Sequence, residues 1–135
     1  MPELKKSLDL SVYRLKKRLL LICAPASDDP MYERQIKMLS AAYQAEFDER
    51  DLLTFHLFEN EYGYFNDTPL TIKAAATTRE RLGVAPNEFT IILIGKDGRV
   101  RFRADRPTHP GALLTLVDTS AIRRRELKRQ PHSQP

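Results

Sequence analysis

The sequence predicts an α/β sandwich: a mixed sheet of about four strands with helices on both faces, in the order β-α-β-α-β-β-α. Three observations carry this reading. Residues 19–23, Leu-Leu-Leu-Ile-Cys, are apolar at every position, as in a strand covered on both faces. A stripe of Tyr32, Ile36, Leu39 and Tyr43 at helical spacing follows, and then residues 52–58 alternate as a second strand does. A strand, a helix and a strand of these lengths form a right-handed parallel crossover. Residues 89–94 are a further run of β-formers, and Asp97-Gly98 leads into Val100 and Phe102 alternating with Arg99, Arg101 and Arg103. A parallel pair followed by an antiparallel hairpin is the thioredoxin plan, with the first strand and the first hairpin strand as its central pair.

The elements follow in order. Residues 1–17 place Leu4, Leu8, Leu10, Val12, Tyr13 and Leu15 among charges, a lead-in with a helical turn near residues 11–16. Residues 18–24 are strand one. Asp29 is a good helix cap and Pro30 suits the first helical position, so the first helix is expected over residues 30–47. In strand two, Leu53, Phe55 and Leu57 face one way and Thr54 and His56 the other. Residues 59–69 read as a polar, aromatic loop. Thr71 caps a second helix through Leu82, and Gly83 ends it in the left-handed conformation. Asp97 and Gly98 are both expected at positive φ in the hairpin turn. A last helix starts near Pro110 and runs to Thr119 or further.

At 135 residues the chain suits one domain, residues 1–128, with residues 129–135 as a disordered tail. The net charge of +4 is local: residues 122–135 hold Arg123, Arg124, Arg125, Lys128 and Arg129 against Glu126, and the remainder is neutral. The high charge thus reads as a basic tail, which argues against nucleic-acid binding by the folded body. No apolar run approaches the ~20 residues of a membrane span. Lys16-Lys17-Arg18 with its six apolar followers is too short for an export signal, so the cytoplasm is the default compartment, with periplasm or secretion left open. The single cysteine excludes an internal disulfide and multi-cysteine zinc sites.

Ligands of a parallel α/β unit gather beyond the carboxyl ends of its strands, here at residues 23–30. Ser27 and Pro30 occupy the places of a thioredoxin's two cysteines, so thiol–disulfide exchange through such a pair is excluded. Pro86 lies too early to serve as that fold's proline before the third central strand. Cys23 is either a small apolar residue in a buried strand, the favoured reading, or a lone nucleophile. Ser27, Asp28 and Asp29 suit capping better than metal binding. His56, His109 and His132 lack metal-ligand spacing, and residues 95–98 lack the phosphate-loop pattern. The sequence assigns no metal, cofactor or catalytic residue. Pro25, Ser27, Asp28, Asp29, Tyr62, Tyr64 and Phe65 are the candidate contact residues, the last three as an aromatic patch.

Several stretches together resemble one family. They are residues 12–21, 24–32 and 49–52, and, most specifically, Ile94-Gly95-Lys96-Asp97-Gly98 and Arg123-Arg124-Arg125-Glu126. They are similar to the DUDES family, domain of unknown function 4174, of bacterial proteins and of animal matrix proteins with sushi or coiled-coil regions. The resemblance covers about residues 8–128. It implies a thioredoxin-like fold without the usual cysteine pair and supplies no catalytic residue. Cys23 stands where relatives more often carry a plain apolar residue, and the export signal common in bacterial members is not evident. The expected function is a redox-inactive binding or assembly module, a monomer or homodimer with a protein partner. The alternative is a peroxide- or thiol-handling enzyme using Cys23.

Overall fold

The computed structural model describes residues 4–129. After a 3-10 turn at Leu10–Tyr13, the elements are β1 (Arg18–Cys23), α1 (Pro30–Met38), α2 (Ala42–Glu49), β2 (Leu52–Leu57), β3 (Gly63–Phe65), β4 (Thr68–Leu70), α3 (Ile72–Arg81), β5 (Thr90–Ile94), β6 (Val100–Ala104), α4 (Pro110–Asp118) and α5 (Ala121–Arg129). They form one mixed sheet in the order β4-β3-β2-β1-β5-β6. β1 runs parallel to β2 and antiparallel to β5, so the predicted central pair is adjacent.

The sheet has six strands, not about four. The two additional strands come from residues 59–69, expected as a loop. Asn66 turns the chain at φ 52°, and Gly63 lets β3 approach β2, where a Cβ would sit 2.4 Å from the His56 carbonyl oxygen. Strands of three residues are too short to show alternation.

Both long helices divide. Residues 30–47 break between Met38 and Ala42, where Leu39 leaves the helix at φ −86°, ψ 70°. Ile36, Leu39, Tyr43 and Phe47 nevertheless pack against one cluster, so the continuous apolar stripe concealed the break. The last helix breaks after Asp118. Ser120 Oγ accepts from the Arg123 amide at 3.2 Å at the start of α5. The region read as the start of a basic tail is therefore helix, and Arg123 is 2% exposed. The expected disordered tail lies outside the described residues except for Arg129, which ends α5. In the β5–β6 turn only Gly98 is left-handed (φ 82°); Asp97 instead accepts the Arg99 amide at 3.0 Å.

The alternation of β1 and β5 divides the core. Leu20, Ile22, Ile91 and Leu93 face Tyr32, Phe47, Leu113 and Val117 of α1, α2 and α4. Leu19, Leu21, Cys23, Ile92 and Ile94 face the other way, with Phe55, Leu57 and Ala75 of α3. Helices therefore cover both faces, as predicted.

Candidate functional site

The chain leaves the carboxyl end of β1 at Cys23 and reaches α1 through residues 24–29. Asp29 caps α1: its carboxylate accepts the Met31 and Tyr32 amides, both at 3.1 Å, with Pro30 behind it. Ser27 is tied to the neighbouring loop. Its amide donates to Glu61 Oε2 at 2.8 Å and its hydroxyl to Glu61 Oε1 at 2.7 Å. The Ser27 backbone N–H and then its hydroxyl hold the Glu61 carboxyl below the usual range. The two loops predicted as a contact surface are thus joined by a side chain the sequence did not single out. Glu61 carries no local signal, because its partner is distant in sequence.

Behind this clasp lies a polar cluster. The Tyr32 hydroxyl is 2.8 Å from His56 Nδ1 and 3.0 Å from the Tyr64 hydroxyl. The His56 and Tyr64 rings stack at 4.1 Å and 9°, and Phe58 meets Tyr32 edge-on at 4.9 Å. Burial, then the Tyr64 hydroxyl, push the Tyr32 phenol well above its ordinary value. Burial lowers His56 to about 4. Both shifts favour the neutral forms of Tyr32 and His56, which offer hydrogen-bond donors and acceptors rather than a poised acid or base. His56 and Tyr64 also line a recess of about 230 Å³ with Ile36, Leu39, Tyr43 and Phe47.

The aromatic residues expected as one patch are distributed. Tyr62 is 58% exposed, and Tyr64 is 38% exposed on the α1 side. Phe65, next along β3, turns to the other face and stacks on Phe55 at 4.7 Å. Pro25 lies in the loop between β1 and α1, and its carbonyl accepts from the Glu59 amide at 3.3 Å. Asp28 is exposed. Met31, at the start of α1, is also exposed.

Cys23 is fully buried on the α3 face, away from Tyr32 and the start of α1. Burial pushes its thiol up to about 12, against the opposite pull of Arg79 and Arg103. The helix dipole that activates a thiol at a helix mouth does not serve it there. Among the described residues no three His, Cys, Asp or Glu side chains gather as a metal site requires. No helix of the described residues is long and apolar enough to cross a membrane.

A family model described as "Domain of unknown function (DUF4174)" matches residues 9–126. The chain is 29% identical over 115 residues to the sushi repeat-containing protein SRPX2 of Xenopus laevis, a match covering 83% of this chain and 25% of that protein. It thus spans about a quarter of that relative's length. Among solved structures, it is similar to the reduced 2-Cys peroxiredoxin of Plasmodium vivax (TM-score 0.65, 16% identity, 89% of this chain and 85% of that one). It is similar also to thioredoxin peroxidase I of Plasmodium yoelii (TM-score 0.65, 18% identity, 93% and 84%). At such identities the likeness shows the fold, which is thioredoxin-like with a mixed sheet and helices on both faces.

Proposed function

The chain belongs to the DUF4174 family, and from that premise we propose that it is a binding or assembly module rather than a thiol-exchange enzyme. One observation carries the reading. The helix mouth where this fold places sulfur chemistry is closed by the Ser27–Glu61 clasp and the Asp29–Pro30 cap, while the one thiol is buried on the opposite sheet face. The contact surface comprises Asp28, Met31, Tyr62 and Tyr64, three of them large side chains exposed around a polar core. Such amphipathic side chains suit a protein partner. The match to a quarter of a sushi repeat-containing protein supports a domain that works beside others.

Two measurements test this. Cys23 in the folded protein should resist maleimide and peroxide and label only after denaturation; rapid native labelling restores the enzymatic alternative. A partner captured by the protein should be lost on joint Met31→Ala and Tyr62→Ala substitution and kept by an Arg99→Ala control. Retention by the double variant would remove this surface from the reading.

A further inference from the structure

Where the chain steps from α1 to α2, Leu39 and Ser40 line the recess of about 230 Å³ that His56 and Tyr64 also line. Thr54 joins them from β2, on the same strand face as His56 and opposite to Leu53, Phe55 and Leu57. Three polar atoms of this lining, Tyr43 Oη, Thr54 Oγ1 and His56 Nε2, make no hydrogen bond among the described residues. Their side chains are half-buried, and each of the three atoms keeps accessible surface, so a ligand atom can reach it. His56 Nδ1 faces the Tyr32 hydroxyl, which faces that of Tyr64, and this chain of hydrogen bonds can run in either direction. His56 Nε2 is accordingly a donor or an acceptor as its partner requires. The lining carries no carboxylate, ammonium or guanidinium, and the Gln44 amide is already given to Asp48 at 2.7 Å.

We propose that this recess binds a small neutral hydroxyarene, its ring against Ile36, Leu39 and Phe47 and its hydroxyl at Thr54 and His56. The unpaired groups of the lining are hydroxyls and an imidazole, each able to give or take a hydrogen bond, and a hydroxyl on the ligand matches them in both roles. A charged ligand would lose its hydration without meeting an opposite charge. Rings from α2, β2 and β3 line the space, and aromatic pairs gain beyond the area they bury. Sites for drug-sized ligands start near ~300 Å³, so this recess suits a single substituted ring. The site goes beyond the contact surface proposed above and does not rest on it: Tyr64 is common to both, but Met31 and Tyr62 do not line the recess, so either reading can fail alone.

The test is amide chemical-shift titration of the full chain at pH 7 with phenol, cyclohexanol and benzoate. Phenol should produce saturable shifts at Leu39, Thr54 and His56, with cyclohexanol weaker and benzoate weaker by tenfold or more. Thr54→Val keeps the size of the side chain and removes a hydroxyl that holds nothing in the fold, so the chain still folds. It should weaken phenol by about fivefold, the worth of one neutral hydrogen bond. Benzoate binding as tightly as phenol would overturn the preference for a neutral ligand, and cyclohexanol doing so would overturn the role of the aromatic ring. Unchanged phenol affinity in both Thr54→Val and His56→Gln would overturn the placement of the hydroxyl. Phenol shifts that do not saturate, or that centre elsewhere, would overturn the site itself.

Discussion

His56 titrates near 4 in the folded chain, against an ordinary value of 6.5, because burial penalises the imidazolium. Its folded value lies below its unfolded value, so the unfolded chain takes up the proton first. The contribution to stability is therefore complete above pH 6.5 and is lost as pH falls from there through 4. The loss should be on the order of 2 kcal/mol, read as a falling urea midpoint between pH 7 and pH 4.5. His56→Gln should flatten that slope; an unchanged slope would assign it to other groups. Gln35 is a second buried polar side chain, and no local pattern marks it. Its amide donates to the Thr108 carbonyl at 2.9 Å and accepts the Thr108 amide at 2.7 Å, pairing a loop backbone as a strand would. Gln35→Leu keeps the volume and orphans both backbone groups, so it should cost about 2 kcal/mol in equilibrium unfolding. Cys23 was legible as a buried residue because its neighbours are apolar. The roles of Gln35 and Glu61 were not, because each depends on a partner placed by the tertiary fold.

At the scale of elements, periodicity served well where runs were long. β1, β2, β5 and the capped starts of α1, α3 and α4 stand where the pattern placed them. It failed at β3 and β4, which are too short for a period, and at the two helix breaks, where the apolar stripe continues through the turn. The Ser27–Glu61 clasp joins the loop before α1 to the segment that leads into β3. Glu61→Ala should expose the Ser27 amide to fast hydrogen exchange while leaving β1 and β5 protected, since the clasp is at the surface and the strands are not. Slow exchange at Ser27 in that variant would show that the loop is ordered by other contacts. α5 is held more firmly. Burial raises the Glu126 carboxyl, but the Lys96 hydrogen bond and the Arg18 charge outweigh it and leave the group below its usual range. Glu126→Gln removes the carboxylate shared by three buried cations, Arg18, Lys96 and Arg123, and should destabilise by about 3 kcal/mol at neutral pH. The same stabilisation in the parent chain should fade as pH falls below the ordinary carboxylate range, because the folded value is the lower one. Thermal unfolding of both proteins at pH 7 and pH 3.5 measures this.

Across the whole molecule, the plan of sheet and helices was readable from the order of the segments, and the parallel β1–β2 pair and the antiparallel β5–β6 pair followed from their connections. The charge distribution was not. Arg123 looks like part of a solvated basic end in sequence, yet it helps close the bottom of the sandwich with Glu49 at 2.9 Å. The margins of the sheet were equally hidden. At β4, Pro69 occupies the strand, and the Lys5 backbone donates to the Pro69 carbonyl at 2.8 Å and accepts from the Thr71 amide at 2.9 Å. At the opposite margin, β6 carries Arg101 and Arg103, and the Arg103 guanidinium is fastened to the Leu82 and Gly83 carbonyls. Both borders thus resist lateral growth by a visiting backbone. Neither border offers a free template for a further strand, which makes the molecule poorly suited to forming fibrils.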